Sequence, residues 1–121
     1  MPKTDGDNLL EREDIGEVTV LRVNVPMLQD NETAEGVFQQ LYSVIDHSGR
    51  HKIVLNLGVI QYFTSAALGK LVTLHRKSQA AKARLVLCNV TPTVSRILDL
   101  TRLSDVMLTY PDEREALLSF G

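Results

Sequence analysis

The sequence predicts an α/β domain with a mostly parallel sheet, and three features carry that expectation. Two short, nearly unbroken apolar runs, Lys52–Leu57 (KIVLNL) and Arg84–Asn89 (RLVLCN), read as strands covered on both faces. Between them lies a segment with helical apolar spacing, long enough to carry the chain back to the start of the sheet. Further helical segments precede the first run and follow the second, and strands separated by helices pair in parallel.

The elements can be justified in order. Glu17–Val25 (EVTVLRVNV) is rich in β-branched residues and follows a turn-like Asp14-Ile15-Gly16, so a hairpin is expected from about Leu9 to Val25, with Pro26 ending the pairing. Beyond a polar patch, Gln29-Asp30-Asn31-Glu32, the residues Ala34, Val37, Phe38, Leu41, Val44 and Ile45 recur at helical spacing. Asp46–Arg50 (DHSGR) then supplies the glycine and the basic residues with which helices end. Thr64–Lys82 reads as a second helix with Ala67, Leu68, Leu71, Val72 and Leu74 in its apolar stripe. Thr91-Pro92 opens a short helix with threonine as N-cap and proline at its first position, and turns Val94, Ile97 and Leu98 inward. Val106–Thr109 is expected as a last short strand and Pro111–Phe120 as a final helix, its first half made acidic by Asp112, Glu113 and Glu115. The expected order is β-β-α-β-α-β-α-β-α, with Ile53–Leu57 and Leu85–Cys88 at the centre of the sheet.

Composition narrows the function. The chain has 121 residues, 44% of them hydrophobic and 23% charged, which suits one soluble globular domain and not a disordered segment. Residues 1–8 are expected to be a polar tail and residues 9–121 the domain. Thirteen Lys and Arg against fifteen Asp and Glu leave a net charge of −2, which argues against direct nucleic-acid binding. No apolar run approaches the length of a membrane span, and the polar start, MPKTDGDN, is unlike a signal peptide, so no membrane association is expected. Cys88 is the single cysteine, which excludes an internal disulfide and disfavours a cysteine-based zinc site.

In open α/β sheets, sites lie beyond the carboxyl ends of the central strands. The first such place is the loop Gly58–Phe63, followed by Thr64-Ser65-Ala66-Ala67 at a helix start. Two hydroxyls therefore stand where free backbone N–H groups and the positive end of the helix dipole favour negative charge. On residue pattern alone, Thr64 or Ser65 can equally be a plain helix cap. His47, His51 and His75 have no partners at metal-ligand spacing, so no metal is expected. There is no Gly-x-Ser-x-Gly elbow and no phosphate-cradling glycine loop, so neither catalysis nor a cofactor is expected. Cys88 reads as a small core residue. Lys70, Arg76, Lys77, Lys82 and Arg84 read as a solvated helix side or as a face for a nucleotide or acidic partner.

His51–Leu103 (HKIVLNLGVIQYFTSAALGKLVTLHRKSQAAKARLVLCNVTPTVSRILDLTRL) resembles the STAS domain of the anti-sigma factor antagonists, and Leu28–Glu35 (LQDNETAE) resembles the family's acidic loop with one extra residue. Together the likeness spans roughly residues 17–110. It implies a four- to five-stranded mixed, mostly parallel sheet with about four helices, in a bacterial cytoplasmic protein. It further implies a partner, an anti-sigma factor that is a serine-protein kinase, and the release of a sigma factor on binding. A serine phosphatase would reverse the kinase. Aligned through Leu68-Gly69, Ser65 falls on the family's phosphorylated serine, with Thr64 a second candidate. Thr64 stands in place of the usual aspartate, Ala66 of a second serine and Ala67 of a glycine that leaves room for close approach. Arg102 stands where the family often has glycine. The expected partner surface comprises Asp30, Asn31, Phe63, Thr64, Ser65 and Ala66. The alternatives are a non-switching STAS scaffold or sensor subunit of a signalling complex, and a small-ligand-binding STAS module.

Overall fold

The computed structural model describes residues 9–29 and 31–121, so the expected tail of residues 1–8 and the candidate Asp30 lie outside the described residues. Strands β1 (Leu10–Ile15) and β2 (Val18–Val23) form the expected antiparallel hairpin. Gly16 turns it at φ +60°, a backbone conformation that costs glycine nothing and most side chains about 1–2 kcal/mol. From β2 the sheet continues in parallel through β4 (Lys52–Asn56), β6 (Arg84–Cys88) and β7 (Thr109–Tyr110), in the order β1-β2-β4-β6-β7. One edge is β1, whose Glu11, Arg12, Glu13 and Asp14 are all exposed, a charged border that discourages another strand from pairing there.

Register sorts the side chains onto two faces. Leu21, Leu55 and Leu87 lie in one cross-strand row, and Val20, Val54 and Val86 in the next. The leucine face is covered by α1 (Glu32–His47), α2 (Ser65–Ala80) and α3 (Pro92–Leu100), whose Phe38, Leu41, Leu71, Leu74, Val94 and Leu98 complete the larger core. The valine face is covered by α4 (Glu113–Leu118), with Ala116 buried against Val18, Val20, Val54, Val86 and Cys88, and Tyr110, Leu117 and Phe120 at its margin. Two-sided burial explains the near absence of polar residues from KIVLNL and RLVLCN. Helices α1 and α2 are also clasped at their surface, by Lys70 on Glu35 (2.7 Å) and Lys77 on Asp46 (3.0 Å).

Two features depart from the sequence expectation. Pro26 lies beyond the end of the hairpin, as expected, but the chain pairs again directly after it: β3 (Met27–Leu28) and β5 (Tyr62–Phe63) form a separate two-stranded parallel ladder, with Met27 opposite Tyr62 and Leu28 opposite Phe63. Instead of a strand over Val106–Thr109, a 3₁₀ turn occupies Leu103–Asp105 and the strand begins only at Thr109. The amides of Val106 and Met107 both donate to Leu103 O, so this stretch is held by turn bonds, with Met107 buried while Val106 and Leu108 are exposed.

The final helix is fixed by charge as well as packing. Glu113 receives the Arg22 guanidinium through both oxygens, at 2.7 and 2.9 Å, and the Asn56 amide at 2.6 Å. The Arg22 hydrogen bonds, then that of Asn56, hold the Glu113 carboxyl below its usual value against the opposing effect of burial. A carboxyl depressed in the folded state adds stability above its unfolded pKa, near 4.5, and that stability is lost as the pH falls through the folded value. Glu113→Gln is therefore expected to cost about 1 kcal/mol at pH 7, less than a buried charge-assisted bond because the pair is partly exposed. In urea unfolding from pH 7 down to pH 3, the gap between variant and wild type should close below about pH 4.5.

Candidate functional site

The loop after β4 is built from backbone constraints. Leu57 N donates to Cys88 O (3.1 Å), so the chain stays on the sheet for one residue past β4. Gly58 follows, where a Cβ would lie 3.1 Å from both Asn56 Oδ1 and Asn89 Cβ, closer than side chains normally pack. Its amide donates to Asn56 Oδ1 at 2.8 Å. Ile60 is fully buried, and its carbonyl accepts the Thr91 hydroxyl at 3.2 Å. Gln61 N on Pro26 O (2.6 Å) and Thr64 N on Leu28 O (2.9 Å) extend the β3–β5 ladder at both ends. The loop is thus attached to β6, α3 and the segment before α1, and α2 starts from a fixed position.

At that start the two hydroxyls separate. Thr64 is the N-cap, extended at φ −77° and ψ 167°, and its Oγ1 accepts the Ala67 amide at 3.2 Å. Ser65 is the first residue of α2 and is exposed, as is Ala66. The ladder brings the segment before α1 alongside, where Asn31 caps α1 by accepting the Ala34 amide at 3.0 Å and remains exposed. Asn31, Thr64, Ser65 and Ala66 therefore share one end of the sheet. Phe63 does not join them at the surface: only 3% exposed, it belongs to the larger core, because alternation in β5 turns Phe63 inward and its neighbour Tyr62 outward. Ala67 also points inward, fully buried, so its methyl group is core packing and not an obstacle to a partner.

Beside Ser65 runs a shallow groove of about 190 Å³ between the start of α2 and the end of α3, lined by Tyr62, Phe63, Thr64, Ser65, Leu68, Ile97, Leu100 and Thr101. Tyr62 and Leu100, 46% and 77% exposed, are surface side chains of this rim that periodicity could not flag. Past Thr101, Arg102 takes a left-handed conformation at φ +66°, uncommon for a residue with a Cβ.

The other candidates have ordinary places. His47 and His51 are exposed, and among the described residues no group of His, Cys, Asp or Glu could hold a metal ion. Cys88 is fully buried, and its thiol is pushed up to about 12, first by burial and then by the charges of Glu113 and Asp112. Within the basic set, Lys70 and Lys77 are engaged with α1, and Arg84 lies over the Phe120 ring at 5.1 Å. Glu113 is no mere favourable charge at a helix start, since it ties α4 to β2 and β4.

Comparison with known proteins adds the family. The STAS domain pattern matches residues 10–116. This chain is a STAS domain. A curated relative, the anti-sigma F factor antagonist of Paenibacillus polymyxa, is 30% identical over 98 residues, 81% of this chain and 84% of the relative, which places the chain among the STAS anti-sigma factor antagonists, a family of non-enzymatic regulators. The STAS fold recurs in a crystal structure of a candidate anti-sigma factor antagonist from Thermotoga maritima, at TM-score 0.82 and 22% identity, covering 94% of this chain and 96% of that one. It recurs again in the Bacillus cell fate determinant SpoIIAA, solved in a phosphorylated form, at TM-score 0.71 and 20% identity, covering 93% and 99%. Among the described residues, no helix of this STAS domain is long and apolar enough to cross a membrane.

The division of labour between the two hydroxyls gives a stability test. Thr64→Ala removes the N-cap and should lower the unfolding free energy by about 1 kcal/mol, whereas Thr64→Asp, which restores a capping oxygen, should keep it. Urea denaturation of the three proteins compares them.

Proposed function

We propose that this STAS domain binds an anti-sigma serine kinase in the cytoplasm, thereby freeing a sigma factor, and is switched off by phosphorylation of Ser65. The observation that carries the proposal is the exposed Ser65 hydroxyl, free of any capping duty, at the first position of a helix whose start is fixed on three sides. Thr64 is the weaker acceptor, because its oxygen already serves the Ala67 amide. The phosphorylated Bacillus structure of the same fold supports a modified form that stays folded. A negative group at the first turn of α2, which has no acidic side chain of its own, would also suit the helix dipole.

The proposed docking surface comprises Asn31, Thr64, Ser65 and Ala66, with exposed Tyr62 in place of buried Phe63; Asp30, expected there from the sequence, lies outside the described residues. The kinase transfers the γ-phosphoryl group of ATP to Ser65 Oγ, which loses its proton as ADP leaves. A serine phosphatase hydrolyses the ester back to the hydroxyl and inorganic phosphate. The phosphate adds about −1.5 to −2 charges to a surface that carried a neutral hydroxyl. Closing the interface over that group strips away hydration that a kinase surface fitted to a neutral hydroxyl does not replace, and carboxylates such as exposed Glu32 repel it.

Titration calorimetry with the cognate kinase tests the switch. Wild type and Ser65→Ala should bind alike, and Ser65→Asp should bind roughly tenfold or more weakly. Equal affinity of all three, or ATP-dependent labelling that leaves Ser65 unmodified in mass spectrometry, would overturn it in favour of a non-switching scaffold.

A further inference from the structure

We propose that Arg102 is the internal receptor for a phosphate on Ser65, so that the modified state is held by this chain's own cation across the groove. The inference rests on Ser65 being the modified residue. Ser65 stands on one wall of the groove and Leu100 and Thr101 on the other, which places Arg102 one residue beyond the facing wall. Its side chain is 86% exposed, and its ion pair is a long contact of 3.8 Å to Asp105, which is also exposed. A phosphate, with more charge and three acceptor oxygens, displaces such a pair and accepts two guanidinium hydrogen bonds.

The surrounding charges single out this arginine. The charged residues of α3 and the following turn are Arg96, Asp99, Arg102 and Asp105, and the first charged residue of α2 is Lys70. Arg96 lines a different hollow, with Pro92 and Thr93, and Lys70 is engaged by Glu35 at 2.7 Å. The groove wall is the carboxyl end of α3, whose last turn holds no basic side chain, so its carbonyl dipoles face a phosphate with the same sign. Arg102 is the next basic residue in the chain after that wall, and its charge would reverse the sign. Its left-handed backbone, φ +66°, sets where the side chain leaves the turn, and a glycine there keeps the same backbone without strain.

The test installs phosphoserine at position 65 during translation, so no kinase is needed and failure of the kinase reading leaves this measurement intact. Phosphorus NMR then follows the second ionisation of the phosphate in low salt for wild type, Arg102→Gly and Arg102→Lys. The expected result is a phosphate pKa about 0.3–0.5 unit higher in Arg102→Gly than in wild type, with Arg102→Lys between them. The difference should shrink in about 0.5 M salt. Alkaline phosphatase should also release phosphate severalfold faster from Arg102→Gly. Identical phosphate pKa values in wild type and Arg102→Gly, with both proteins folded by circular dichroism, would overturn the assignment.

Discussion

The carboxamide of Asn56 is the joint on which the architecture turns. Its nitrogen donates to Glu113, which is held by Arg22, and its oxygen accepts the amide of Gly58. One side chain thus ends β4, anchors the helix that covers the valine face and shapes the loop that leads to Ser65. Arg22, Asn56 and Cys88 fall in one cross-strand row, so the polar pair sits at the margin of the valine face with the cysteine beside it. A partly buried charge pair contributes little by itself, but losing one member leaves the other uncompensated, so this row resists single substitutions.

Periodicity and composition made most of the frame readable. The central strands and the three larger helices followed from apolar spacing, because each long element buries a face in one large core, and the cap at Thr91 followed from the Thr-Pro pair. The parts that escaped are short or depend on pairing. A two-residue ladder such as β3–β5 leaves no period to detect, and of the strand expected over Val106–Thr109 only Thr109 is in β7, because the amides of Val106 and Met107 are taken by turn bonds to Leu103 O. Glu113 resembled any acidic residue at a helix start until the fold brought Arg22, 91 residues away, within hydrogen-bonding distance.

The site shows the same division. That two hydroxyls stand at the helix start was visible in sequence, since cap chemistry is local, but which of them caps the helix was settled only by the fold. Which aromatic residue of the Tyr62–Phe63 pair faces outward was not, because that choice is made by the ladder with Met27 and Leu28. The surface that results combines a small polar helix start with an apolar rim from α3 and β5. Its polar part presents hydroxyl groups and its apolar part offers contact area.

The short helix over the valine face gives the molecule an internal gauge of its own opening. Cys88 is shielded from solvent under that layer, and with its thiol pushed up to about 12 almost none of it is thiolate at neutral pH. Each departure of α4 would expose the sulfur and restore an ordinary thiol. The rate at which a thiol reagent labels this single cysteine therefore counts the excursions of the C-terminal layer, without adding a probe to the chain.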